Sequence, residues 1–283
     1  MEAMLAAQRN EITEYHIYSR LAASTRDPNN SRVLHRMAVD ELEHYNFWKR
    51  YTGRDVPPRR AVIWFFYVVS KLLGLTFGMK LMERGEAGAQ LVYARIAEDV
   101  PAARAVMRDE ERHEQEVIAL LDEERLRYIG SIVLGLSDAL VELTGALAGL
   151  TFALQDTRLT ALAGLVTGLS ASLSMAASEY LSTKSEEGLQ SPVKASLYTF
   201  AAYLTTVVFL ILPYLMLADY RLCLALTVTN AMVVIVLFTF YVSVARGLPF
   251  WSRFSEMAAL SLAVTVVSFG IGLAVRALLG VEV

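Results

Sequence analysis

From Tyr128 onward the chain runs through five apolar stretches, roughly 129–154, 159–182, 195–217, 223–245 and 254–279, joined by short polar connectors. About 20 apolar residues suffice to cross a hydrocarbon core. Five such stretches in succession predict five membrane-spanning helices in preference to the buried helices of a soluble protein. The charge distribution agrees. Residues 1–128 carry 39 of the 55 charged side chains, 20 acidic and 19 basic, and the rest of the 283-residue chain carries 16. Two domains are therefore expected: a charged one over 1–127 and a membrane one over 128–283.

Composition narrows the functions. At 55% hydrophobic residues and a mean hydropathy of +0.40, the chain is too apolar for disorder. A net charge of −3 provides no basic field for nucleic acid. Cys223, the single cysteine, rules out an intrachain disulfide and a thiolate metal cluster. The opening MEAMLAAQRNEITEY has no basic start followed by an apolar core, so it does not read as a secretory signal. The N-terminal domain is expected in the cytoplasm. With that domain inside, the inner flanks of the spans hold Arg125, Arg127, Lys184, Lys194, Arg246 and Arg253, and the outer flanks hold Arg158, Arg221 and Arg276. Six against three obeys the positive-inside rule and puts the C-terminus outside the cell (inner) membrane.

The N-terminal part reads as helices over 2–26 and 31–51, with a turn at Asp27-Pro28-Asn29-Asn30 and a stop at Thr52-Gly53. Asp99 and Pro101 suit the start of another helix running to about Arg127. The segment 61–80 is apolar but interrupted by Lys71 and Lys80. It is expected to be a membrane-surface helix that continues into the third helix of a bundle, rather than a sixth span.

An internal repeat carries the chemistry. Glu11 precedes Tyr18 by seven residues, and Glu86 precedes Tyr93 by seven. Each half then supplies Asp-Glu-x-x-His, as Asp40-Glu41-x-x-His44 and Asp109-Glu110-x-x-His113. Seven residues are two helical turns, and positions i and i+3 are neighbours, so each set shares one helix face. Two ExxH helices and two further Glu-bearing helices place four carboxylates and two imidazoles inside a four-helix bundle, the ligand inventory of a di-iron or di-manganese site. The expected ligands are Glu11, Glu41, His44, Glu86, Glu110 and His113. Tyr18 and Tyr93 are expected to hydrogen-bond the ligating carboxylates. Glu14 and Glu83 are alternative ligands that lack a tyrosine seven residues on, and Glu114 is a third alternative. Glu43 and Glu111 are expected to be exposed, and His16 and His35 to be surface or structural residues.

This pattern, across residues 5–125, resembles the rubrerythrin branch of the ferritin-like superfamily. The resemblance implies an all-α, ferritin-like four-helix bundle holding two Fe ions, with Mn2+ or Zn2+ as substitutes, and oxidation of Fe2+. The chain lacks the CxxC rubredoxin module of a true rubrerythrin.

Within the spans, ionisable residues mark function, because a charge in hydrocarbon costs about 2.5–3.5 kcal/mol even on insertion scales. Asp138 and Glu142 lie four apart in the first span; Met175 and Glu179 lie four apart in the second. Together they suggest a cation path, and deep acids can also carry protons. Gly145 and Gly149, and Gly164 and Gly168, form GxxxG pairs that let the first two spans approach each other or a partner subunit. Pro213 should loosen the third span.

LGLSDALVELTGALAGL followed by GLVTGLSASLSMAASEYLS resembles the vacuolar iron transporter family. That resemblance implies five spans, a homodimer, and exchange of Fe2+ or Mn2+ for protons, with the family's path residues falling on Asp138, Glu142, Met175 and Glu179. The long glutamate-rich insertion of eukaryotic members is here only TKSEEGLQSPVK. The fusion of the two parts is similar to the bacterial membrane-bound ferritins, which export iron. A membrane-anchored di-iron oxidase or hydroxylase acting on Fe2+ or a quinone-like substrate is the alternative, and a bundle that only senses or stores iron is a third.

Overall fold

A computed structural model describes residues 1–85, 96, 100–106, 108–110, 113, 128–186 and 190–279. The chain divides into two compact units, Met1–Glu123 and Glu124–Val283. Among the described residues the elements are α-helical and no strand occurs.

In the first unit, α1 (Glu2–Ser24) and α2 (Pro28–Thr52) are joined by three residues. Asp27, read as part of a turn from sequence, is instead the N-cap of α2. Its carboxylate accepts from Asn30 N at 2.8 Å, and Pro28 occupies the first helical position, where its missing N–H costs nothing. Gly53, at φ 65°, closes α2 in the left-handed region as expected for a C-terminal glycine. The two helices meet through Ile17, Leu21 and Ala22 against Leu34, Met37 and Ala38. Full burial of each of the larger side chains, Ile17, Leu21, Leu34 and Met37, is worth about 1.5–3 kcal/mol. That packing sets the face on which Glu11 and Glu41 both become buried.

The segment 61–80 is not one helix. α3 spans Arg60–Leu73 and stops at Gly74, whose φ of 110° an L side chain rarely adopts; residues 75–85 are helical again. Further on, 103–106 and 108–110 are helical, with a turn at 101–102; Asp99 lies outside the described residues.

The second unit contains five helices long and apolar enough to cross a membrane, the pattern of a multi-pass membrane protein. They are α4 (Ile129–Leu154), α5 (Thr157–Ser185), α6 (Pro192–Met216), α7 (Tyr220–Arg246) and α8 (Phe250–Leu279). Asp156 and Asp219 cap α5 and α7, which lengthens both beyond their apolar stretches. α4 packs against each of the other four. Its Leu140, Leu143 and Leu147 are fully buried with Val207, Leu210 and Ile211 of α6.

The first GxxxG serves a different neighbour from the one expected. A Cβ at Gly145 would stand 2.9 Å from Ser268 Oγ, and one at Gly149 would stand 3.0 Å from Ser268 O, so this stripe receives α8 of the same chain. The second pair meets Leu147 and Ile211 at Gly164, and Val207 at Gly168. Pro213 cannot donate to the carbonyl four residues back. That carbonyl, Phe209 O, accepts instead from Asn230 Nδ2 at 3.2 Å, and its neighbour Leu210 O accepts from Thr227 Oγ1 at 2.9 Å. α7 thus satisfies the backbone that the proline frees.

Candidate metal centre and intramembrane acids

Glu11 from α1, Glu41 and His44 from α2, and Glu110 each offer one ligand atom, and these four atoms lie within 4.8 Å of one another. His113 joins them: its Nδ1 is 3.8 Å from Glu41 Oε1, while His44 Nδ1 is 3.5 Å from Glu41 Oε2. Glu41 therefore stands between the two imidazoles, one oxygen toward each. The two repeats cross. Glu110 Oε1 of the second reaches His44 Nδ1 of the first at 2.8 Å.

The aspartates of the DExxH motifs complete the crossing, a role that sequence reading left unassigned. His113 Nε2 donates to Asp40 Oδ2 at 2.7 Å, and Asp109 Oδ2 lies 3.9 Å from His44 Nε2. Each ring thus turns Nε2 toward an aspartate of the other repeat and keeps Nδ1 for the cluster, the arrangement by which a carboxylate orients a metal-ligating histidine. Trp48 was also missed. Its indole donates to Glu11 Oε1 at 3.0 Å, and its position, seven residues after Glu41 and four after His44, was the available signal.

These residues fit a metal. Among the described residues, Glu41 Oε2, His44 Nδ1, Glu110 Oε1 and His113 Nδ1 are buried and turned into the cluster, in ion-pair contacts of 2.8–3.8 Å rather than well-aligned hydrogen bonds. Buried polar atoms are normally satisfied by aligned partners, and four such atoms converging among carboxylates and imidazoles form a donor set for a divalent cation. Electrostatics agrees. Burial, reinforced by the Glu110 and Glu41 carboxylates, holds Glu11 well above the usual carboxylate range. Burial and Glu41 likewise raise Glu110. Burial would raise Glu41 too, but His113, His44 and Glu11 beside it bring it down to about 2. Burial opposes charge on His44, yet Glu110 and Glu41 push it up to about 11; His113 is raised for the same reason. Without a cation, protons on Glu11 and both histidines balance the acids.

Metal must displace those protons. Affinity is therefore expected to climb between pH 6 and 8, by about tenfold per pH unit for each proton released. Titration of the full-length protein against a chelator at several pH values measures it. Asp40→Ala should weaken metal by about 10–100-fold while leaving the carboxylates of the cluster in place, read by the same competition.

Of the other expected site residues, Tyr18 is buried in the apolar cluster between α1 and α2. Glu14 and Glu83 are half-buried and are not among the four converging groups. Glu86, Tyr93, Glu111 and Glu114 lie outside the described residues. Glu43 and His35 are exposed.

The membrane unit presents a second set of polar groups. Glu142, exposed on the lone chain, accepts from Tyr203 Oη of α6 at 3.0 Å. Glu179 of α5 accepts from Ser131 Oγ of α4 at 2.5 Å. Asp138 and Met175 are half-buried, Met175 against the central apolar cluster. Two of the three acids are thus tied across helix boundaries, α4 to α6 and α5 to α4. Residues 129–190 match the VIT family. The match takes in α4 and α5 with all four of these residues, the segment that carries the vacuolar iron transporter resemblance, and it suggests a membrane metal-ion transporter. The VIT match covers about a fifth of the chain and none of the N-terminal unit. No curated protein matches the chain.

Proposed function

We propose that the protein exports Fe2+, with Mn2+ as a second cargo, from the cytoplasm across the cell (inner) membrane by proton antiport. The observation that carries the reading is the exposed Glu142 on α4, the first helix of the VIT-matched segment and the one packed against the other four. A carboxylate facing hydrocarbon would cost more than a transmembrane helix normally tolerates, so it needs a watered path or a second copy beside it. A homodimer supplies both: two α4–α5 surfaces enclose a route lined by Asp138, Glu142, Met175 and Glu179. Carboxylates and a thioether accept both Fe2+ and protons, which allows one site to exchange them.

In this reading the N-terminal unit is a ferritin-like four-helix bundle on the cytoplasmic side, and the C-terminus is outside. Glu11, Glu41, His44, Glu86, Glu110 and His113 would hold two metal ions there, with Tyr18 and Tyr93 behind the carboxylates. A bound di-iron pair would supply ferroxidase chemistry; this chain's part is to concentrate cytoplasmic metal and to position it.

The test is Fe2+ uptake into proteoliposomes holding the full-length protein, with and without a proton gradient. Gradient-driven uptake is the expected result. No flux, together with rapid oxygen consumption on Fe2+ or a quinol, would overturn it in favour of a membrane-anchored oxidase.

A further inference from the structure

α3 is apolar on both of its faces. Inward, Ile63 is buried, and Phe66 and Tyr67 pack on the α1–α2 core. Outward, Trp64 and Phe65 are 55% exposed, Val68 44% and Leu72 69%. Positions 64, 65, 68 and 72 follow helical spacing, so these side chains form one continuous stripe. An apolar stripe of this kind on a unit rich in charge marks a contact surface.

The surroundings say what it contacts. No acidic residue occurs between Val56 and Met82, whereas Arg59, Arg60, Lys71 and Lys80 do. Arg20 of α1 lies over the Trp64 ring at 4.7 Å. Beside the stripe, Arg20, Arg60, His16 and Trp64 line a pocket of about 530 Å³. Apolar stripe, tryptophan at its edge and cationic rim together form the signature of a helix lying in a membrane interface. Fourteen residues span only about 21 Å, too short to cross a core of about 30 Å. The same chain carries five helices long and apolar enough to cross a membrane; inserted, they keep α3 at high effective concentration near a bilayer, so even weak intrinsic affinity is sufficient.

We propose that α3 is an interfacial membrane anchor: Trp64, Phe65, Val68 and Leu72 enter an anionic phospholipid bilayer, and the pocket between Arg20 and Arg60 takes a lipid phosphate. The proposal rests on the membrane-spanning reading of α4–α8 and is independent of the metal cluster and of transport.

The test uses the full-length Cys223→Ser protein with spin labels placed singly through Phe65→Cys, Val68→Cys and Leu72→Cys, and through Glu43→Cys as an exposed control on α2. It is reconstituted in phosphatidylglycerol-containing or pure phosphatidylcholine liposomes. In anionic liposomes the labels at 65, 68 and 72 should collide with oxygen but be shielded from a neutral nickel chelate, while the label at 43 stays open to nickel. In phosphatidylcholine that shielding should weaken. The double variant R20Q/R60Q should lower the docked-to-undocked ratio by about thirtyfold, at roughly 1 kcal/mol per surface cation. Nickel access at all three positions in both lipids overturns the proposal. Shielding from oxygen and nickel alike, with dipolar broadening between labels, would show a second copy covering the stripe and also overturns it.

Discussion

Glu41→Gln is expected to cost the N-terminal unit both its metal and a large part of its stability, whereas Glu11→Gln costs the metal alone. The two carboxylates are equally buried, at 1% exposure each. Their ionisation differs. Glu41 is charged and faces His44 and His113, so removing its charge leaves two buried imidazoliums without their shared counter-ion. Breaking a buried pair from one side costs about 3–5 kcal/mol. Burial, with Glu110 and Glu41 beside it, shifts Glu11 toward its neutral form in the metal-free protein, and glutamine is close to isosteric with that neutral acid. The Trp48 indole can still donate to the amide oxygen. Stability of the metal-free protein should then change by less than about 1 kcal/mol.

The pH dependence of the metal-free protein follows from the same assignment. Glu41, lowered to about 2 in the folded state, stabilises above the unfolded carboxylate value of 4.5, and that contribution is lost as pH falls through 2. His44, raised to about 11, stabilises fully below 6.5 and loses its contribution as pH rises through 11. Glu11, raised above 4.5, works against the fold increasingly as pH rises from 4.5 toward its folded value. Denaturant unfolding of both variants, with metal content read in parallel, separates these effects. A Glu41→Gln protein as stable as its parent would refute the charge assignment, and a Glu11→Gln protein that keeps its metal would remove Glu11 from the ligand set.

What could be read from sequence depended on how local the cause was. The five long apolar helices follow from length and hydropathy alone, and the structure moves the starts of four of them outward into the polar flanks: Asp156 and Asp219 cap α5 and α7, Pro192 opens α6, and α8 begins at Phe250. The convergence of Glu11, Glu41, His44 and Glu110 was legible because a repeat states it twice. Break points were harder. Gly74 interrupts 61–80 through a backbone conformation that no periodicity signals, and Asp27 could serve a turn or a cap with equal ease. Partners across elements were hardest. Asp40 finds His113, Trp48 finds Glu11 and Gly149 finds α8 only once the helices have packed, and each looks locally like a solvated acid, a core aromatic or a dimer motif.

Asp138→Ala should stop metal flux at the level of empty liposomes while leaving the protein at least as stable and its N-terminal metal content unchanged. No lysine or arginine occurs between Tyr128 and Thr157, so α4 itself brings no cation to neutralise its two acids. Neither can α4 relieve them by fraying, because it is packed against the other four spans. A carboxylate held there works against insertion by about 2.5–3.5 kcal/mol, and removing it returns some of that energy. A residue kept for packing would show the opposite sign, losing stability and flux together. Lost flux with retained or increased stability is the signature of a residue maintained at the expense of the fold. Glu142→Gln sharpens the comparison: the amide oxygen can still accept from Tyr203, so the α4–α6 tie survives while the charge is gone. If Asp138→Ala and Glu142→Gln both abolish flux and both unfold no more easily than the parent, the negative charge on α4, rather than the helix packing around it, is what moves the metal. Flux that survives Asp138→Ala would put the path elsewhere in the five spans.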